Sequence, residues 1–212
     1  AQYWDTHITP DDLVLIPGDI SWASRIEDAL PDLEWIHKRP GTKVLIRGNH
    51  DYWWESISKV RKVLPPSLYA VQNDSFLFND IAICGARLWD SPEYNFASII
   101  DFENSEEGKA LAAKVEDPAR FERELNRLEM SLKTLPQQAR CKIAMTHYPP
   151  IGLNLEPSRV SKLLEAYGIS ICVFGHLHGI REGLGKLFGE ARGVRYVLTA
   201  CDFLQSVPVR IM

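Results

Sequence analysis

Basic charge is scarce in this 212-residue sequence: 24 Lys and Arg stand against 28 Asp and Glu, a formal net charge of −4. No global positive field is present to gather nucleic acid or an anionic membrane surface. No apolar run approaches the roughly 18 residues that a membrane span requires. The start, Ala1-Gln-Tyr-Trp-Asp5, carries no apolar stretch of the kind a secretion signal needs. Cysteine is also scarce. Cys84, Cys141, Cys172 and Cys201 lie far apart, three of them inside apolar runs. That spacing excludes a disulfide framework and a zinc knuckle, and it predicts free thiols in a reducing cytosol, hence a cytoplasmic protein.

What is present is an ordinary globular composition with 45% hydrophobic residues, enough for a single domain over residues 1–212. Strand-like runs fall at 11–17, 43–47, 68–71, 76–78, 81–84, 141–146, 169–174, 193–198 and 207–211. Helical spacing appears at 24–38, interrupted by Pro31, and at 54–64, which stops at Pro65-Pro66. Asp117-Pro118 reads as a helix start, followed by an apolar face at Phe121, Leu125, Leu128, Leu132 and Leu135. Its charged residues, Arg120, Glu122, Arg123 and Glu124, read as a solvated face. A further helix is expected over 157–167, stopped by Gly168, and a short one near 96–103. Residues 68–88 read as strands joined by hairpins at Asn73-Asp74 and Asn79-Asp80. His37 reads as solvent-exposed. The strand–helix–strand alternation predicts an α/β protein with a parallel pair.

Four of the strands end in residues that ligate metals. The strand at 11–17 runs into Gly18-Asp19. The strand at 43–47 runs into Gly48-Asn49-His50-Asp51. The strand at 141–146 runs into His147, and the one at 169–174 into Gly175-His176-Leu177-His178. Ligands of open α/β sheets bind beyond the carboxyl ends of strands. A set of Asp, Asn and His without Cys is a mixed nitrogen and oxygen site, suited to manganese, iron or zinc rather than to structural zinc.

These motifs, in this order, resemble the signature of the calcineurin-like metallophosphoesterases, in their bacterial-type phosphohydrolase branch. The resemblance implies a four-layer αββα sandwich, two mixed sheets face to face with helices outside. It implies two metal ions: Asp19 bridges both, Asn49, His147 and His176 complete the shell of one, and His178 serves the other. It implies catalysis and substrate binding by His50, with Asn49 also facing the substrate. His50 acts there as general acid on the leaving oxygen, unless it only orients its loop. Asp51 joins the catalytic set by tuning His50, or else caps the next helix. The implied reaction is hydrolysis of a small phosphate ester, monoester or diester, nucleotide-like esters included. The alternative is an interaction scaffold with an incomplete metal site.

The sequence departs from the family pattern twice. The family opens with Asp-x-His after a first strand. Asp5-Thr6-His7 has the spelling, but no apolar strand precedes it and the crossover helix does not fit before Asp19. Asp5 and His7 are therefore read as a helix end, and the first strand with its motif is expected upstream of Ala1. Second, protein phosphatases continue Gly-Asp as x-x-Asp-Arg-Gly, whereas Asp19 is followed by Ile20-Ser21-Trp22-Ala23-Ser24. That argues against a phosphoprotein substrate. Trp22, Trp53, Trp54 and Tyr148 flank the motifs, either as walls of a pocket or as packing beneath the loops. Residues 89–135 are a candidate specificity insertion.

Overall fold

The computed structural model describes residues 2–101, 117–184 and 187–212. In chain order the elements are α1 (Gln2–His7), β1 (Leu13–Ile16), α2 (Ile26–His37), β2 (Thr42–Leu45), α3 (Ile57–Val63), β3 (Leu68–Ala70), β4 (Ser75–Phe78) and β5 (Ile81–Ala86). They continue with α4 (Pro118–Lys133), β6 (Cys141–Thr146), α5 (Arg159–Ala166), β7 (Ile171–Phe174), β8 (Glu190–Ala191) and β9 (Val194–Leu198). Among the described residues they build two sheets, ordered β1-β2-β3 and β4-β5-β6-β7-β9-β8. The first is parallel throughout. The second is mixed: β5, β6, β7 and β9 are parallel, and β4 and β8 join antiparallel at the edges.

Side-chain alternation explains the layering. Along β2, Val44 faces the other sheet and Leu45 faces the helices, because successive strand residues point to opposite faces. The inter-sheet core joins Val44, Ile46 and Val71 to Ile83, Ile143, Met145, Ile171 and Val173. Outside the first sheet, α2 and α3 bury Ala29, Leu33, Ile36 and Val60 against Leu45 and Leu68. Outside the second, α4 and α5 bury Phe121, Leu128, Val160 and Leu164 against Ala144 and Cys172. Four layers result: helices, sheet, sheet, helices. Each fully buried Val, Leu, Ile, Phe or Met among them contributes about 1.5–3 kcal/mol.

Local signals place most helix ends. Asp117 accepts from the Arg120 N–H and caps α4, with Pro118 in its first turn. Ser158 and Ser161 cap α5 reciprocally. Helix α2 runs unbroken through Pro31.

Besides the expected interruption at Pro31, further expectations change. Helix α3 starts at Ile57 behind the Ser56 cap; Trp53 and Trp54 precede it as buried loop residues, their indole N–H groups donating to Asp51 (2.9 Å) and Gln72 (2.8 Å). Strand β3 does not belong to a hairpin, because α3 carries the chain back to lie parallel to β2; within residues 68–88 the hairpin is β4 with β5. Residues 207–211 are not a strand of either sheet. Glu124 is not solvated: it is buried and accepts from Arg87 (2.8 Å) and Arg127 (2.7 Å), a charge taken from water only because two guanidiniums meet it. His37 is half-buried, its Nδ1 2.8 Å from Ser67 Oγ. The helix expected near 96–103 does not form over its described part either, where 97–99 make a turn and Ile100 bridges to Ile180; residues 102–116 of the 89–135 segment lie outside the described residues.

Candidate metal centre

The four strand-end motifs converge. β1, β2, β6 and β7 are parallel within their sheets, so their carboxyl ends bring Asp19, the Gly48–Asp51 turn, His147 and the Gly175–His178 turn to one rim of the sandwich. Two of the candidate ligand positions sit in the left-handed region, Asp19 at φ 54° and His176 at φ 68°. Non-glycine residues held there store strain, which collects at functional sites. Glycines let the turns approach. A Cβ at Gly18, itself at φ 95°, would lie 2.7 Å from both Gly48 Cα and His147 Nδ1.

Around one point lie four donor atoms. His147 Nε2 is 2.6 Å from Asn49 Oδ1, 3.3 Å from His176 Nδ1 and 3.3 Å from Asp19 Oδ2. His176 Nδ1 is 2.9 Å from Asn49 Oδ1. His147 Nδ1 lies 2.9 Å from the Pro17 carbonyl, which only accepts, so Nδ1 carries the hydrogen. In the neutral ring Nε2 then holds a lone pair, aimed at an amide oxygen and a carboxylate oxygen. His176 Nδ1 can donate to Asn49 Oδ1 when it carries the hydrogen, but His147 Nε2 and the two oxygens it faces are acceptors that need positive charge between them. A cation meets that need, so the residues present fit a metal ion. Burial works to raise the Asp19 carboxyl; a protonated His147 ring and the His50 N–H outweigh it and hold the group below its ordinary value, so the carboxylate meets positive charge here even before a metal ion replaces that proton.

The surrounding cleft has a volume of about 590 Å³ and is lined by Asp19, Trp22, His50, His147, His176 and His178, with Thr199 to Asp202 on the far wall. His50 gives its backbone N–H to Asp19 Oδ1 (2.8 Å). Its ring lies parallel to the exposed Trp22 indole, centroids 4.2 Å apart, and its Nδ1 is 3.1 Å from Tyr52 Oη. Tyr148 is buried with its ring 3.9 Å from that of His176, and burial pushes its hydroxyl pKa up. So Trp22 walls the cleft, whereas Trp53, Trp54 and Tyr148 are packing beneath the loops.

Asp51 is placed differently from the catalytic role expected of it. It is fully buried and accepts five N–H groups, from Asp19, Ile20, Ser21, Gly48 and the Trp53 indole, at 2.7–3.1 Å. It neither bonds the His50 ring nor caps a helix. Burial pushes its carboxyl up, and the five donors, each needing a lone pair, work against that. Its work is to pin the Asp19 turn to the Gly48 turn.

Asp5 and His7 both lie on α1. Asp5 pairs with Arg39 at 2.5 Å and His7 bonds the Tyr3 carbonyl, and neither lines the cleft. Sequence reasoning missed Asp202. It accepts from His178 Nδ1 (2.8 Å) and from the Gly179 N–H (2.9 Å). Burial opposes its ionisation, but those two donors prevail and leave its pKa at about 2. The signal available was position: Asp202 follows another parallel strand, β9.

The calcineurin-like phosphoesterase family profile matches residues 3–179. The chain belongs to that family. Its members are metal-dependent phosphoesterases, generally using divalent ions. Among individual relatives, the Gene 66 protein of Mycobacterium phage L5 is 49% identical over 51 residues, 24% of this chain and 24% of that protein. The Gene 66 protein of Mycobacterium phage D29 is 45% identical over 51 residues, 24% of this chain and 25% of that protein. The match thus spans about a quarter of each relative, and neither name states an activity. Among the described residues no helix is long and apolar enough to cross a membrane.

Proposed function

We propose that this chain hydrolyses small phosphate esters, nucleotide-like esters included, in the cleft between Asp19, His50 and His178. The observation that carries the reading is the convergence of Asp19 Oδ2, Asn49 Oδ1, His147 Nε2 and His176 Nδ1 on one point. Asn49, His147 and His176 would hold one metal ion, His178 a second, and Asp19 both. Manganese, iron and zinc all suit this nitrogen and oxygen set. Such ions supply Lewis acidity toward a phosphoryl oxygen and lower the pKa of water toward neutrality.

The protein's own groups do the rest. The Asp51 latch keeps Asp19 and Asn49 in register. The Pro17 carbonyl fixes the His147 tautomer. Trp22 and Tyr52 hold the His50 ring at the cleft wall, where Nε2 is the nitrogen to protonate the departing oxygen, with the Asn49 amide beside it facing the ester. The four free cysteines suit a reducing, cytoplasmic setting.

The test is metal stoichiometry measured beside turnover of aryl phosphomonoesters and phosphodiesters. His50→Ala should lower turnover about 10²–10⁴-fold and leave metal content unchanged. Asp19→Ala should lose both. If the wild type binds metal and hydrolyses no ester of a broad panel, the chain is an interaction scaffold instead. If His50→Ala sheds metal as Asp19→Ala does, His50 is a ligand and not the acid.

A further inference from the structure

Strands β7 and β9 are parallel neighbours, in register at Phe174 and Leu198. Beyond that pair, Thr199 donates to the Phe174 carbonyl through both its N–H (2.7 Å) and its hydroxyl (3.0 Å). The two strand ends therefore leave the sheet side by side. Four residues past Phe174 is His178, and four residues past Leu198 is Asp202. Equal lengths from a tied register bring the imidazole and the carboxylate together.

The contact grips two consecutive residues. Asp202 Oδ1 meets the His178 ring at Nδ1, and Asp202 Oδ2 accepts the next backbone N–H, that of Gly179 at φ 64°. An ionised carboxylate only accepts, so Nδ1 carries the hydrogen and Nε2 of the neutral ring keeps the lone pair. His147 is treated the same way by the Pro17 carbonyl. A carboxylate does more than a carbonyl, because its charge also makes the imidazole a stronger donor to a metal.

We propose that Asp202 is the positioning carboxylate of His178: it fixes the ring orientation and tautomer so that Nε2 is presented to a metal ion. This rests on the metallophosphoesterase reading of the cleft for its purpose, but not for its geometry. Cys201 lies beside the pair, within 4.8 Å ligand-atom spacing of both partners. The competing arrangement is a three-residue ligand set of His178, Cys201 and Asp202. Asp202 already spends one oxygen on the ring and the other on a main-chain N–H, which favours the positioning role.

Two measurements test it. The first is the imidazole nitrogen NMR spectrum of metal-free protein, which reports the His178 tautomer without any metal or substrate. Wild type should show the Nδ1–H form, and Asp202→Ala should lose that preference while the His147 signals stay put. An unchanged His178 tautomer in Asp202→Ala would overturn the proposal.

The second is calorimetric titration with manganese and with zinc. Asp202→Ala should bind about 10–100-fold more weakly at the step that needs His178, with Asp202→Glu recovering part of the loss. In a His178→Ala background, removing Asp202 should cost nothing further. An additional loss there, or an equal loss from Cys201→Ser, would make Asp202 a ligand and overturn the positioning role. If wild type binds neither metal, the phosphoesterase reading fails, and the tautomer experiment still decides the Asp202–His178 relationship.

Discussion

Gly48 and Asp19 are so close that a Cβ on residue 48 would lie 2.0 Å from Asp19 Oδ1 and 2.2 Å from Asp19 N. One of those atoms is backbone, and Asp51 holds it from behind, so neither side can yield cheaply. The glycine is what allows the carboxylate of one loop to rest on the main chain of the other.

Gly48→Ala should therefore act on the metal site before it acts on the core. The Asp19 carboxylate must move, and overpacking of this kind costs about 1–3 kcal/mol. Metal content per chain should fall sharply, with a smaller drop in unfolding midpoint. Normal metal content in a folded Gly48→Ala protein would contradict the contact.

Asp51→Asn exchanges one acceptor oxygen for an NH₂ group. Oδ2 serves the Asp19 and Gly48 N–H groups, and Oδ1 serves Ile20, Ser21 and Trp53. Whichever way the amide turns, at least two donors face a donor. Each stranded buried group costs about 1–3 kcal/mol, so urea unfolding should show a loss of about 2–5 kcal/mol. Metal affinity should weaken alongside it. A stable Asp51→Asn protein with impaired turnover would restore Asp51 to the catalytic set.

The convergence of the strand-end residues was legible because the strands end in an apolar run and a glycine or threonine, which are local signals. The α4 and α5 caps were legible for the same reason. The place of Asp51 was not legible, because its residue type advertises chemistry, while three of its five N–H partners come from a turn about thirty residues earlier. Glu124 looked solvated because a helix pattern does not show that Arg87 leaves β5 directly beneath it. β3 was assigned to a hairpin because its turn signals are local and its pairing with β2 is not. Asp202 carries no motif at all. Its meaning depends on the β7–β9 register, which only the folded sheet supplies.

The cysteines divide by burial. Cys84 and Cys172 are fully buried, Cys141 is partly covered and Cys201 is exposed. Burial pushes the Cys172 thiol from an ordinary 9.0 up to about 12, and raises Cys84 also. At pH 8 an aromatic disulfide reagent should label Cys201 quickly, Cys141 slowly, and the other two only on unfolding, since the thiolate is the reacting form. A pKa raised by folding means that the native state keeps its proton where the unfolded chain loses it. The contribution is complete below pH 9.0 and is lost as pH climbs toward 12. Replacing Cys172 with Ala should flatten the alkaline fall in stability over that window. Rapid labelling of Cys172 in the native protein would contradict its burial.

Trp22 is 69% exposed, yet its ring lies within 4° of parallel to His50. Leaving an indole in water has little to recommend it for stability, since ring stacking of this kind contributes about 0.5–1.5 kcal/mol. Its position matters more for the imidazole it covers, which Tyr52 meets edge-on from another side at 5.9 Å. Removing the indole should leave the fold and the metal ligands intact while freeing the His50 ring to turn. Small misplacements of a reacting group cost up to about 10²-fold in rate. Trp22→Ala should therefore lower kcat about 10-fold or more with unchanged metal content and unfolding midpoint. Trp22→Phe, which keeps a flat surface against the ring, should recover most of the rate. In a His50→Ala background the Trp22 substitution should have no further effect on kcat, because its influence passes through that ring. A loss confined to KM would instead make Trp22 a platform for the substrate, and a loss of metal would mean that the stack supports the Asp19 turn.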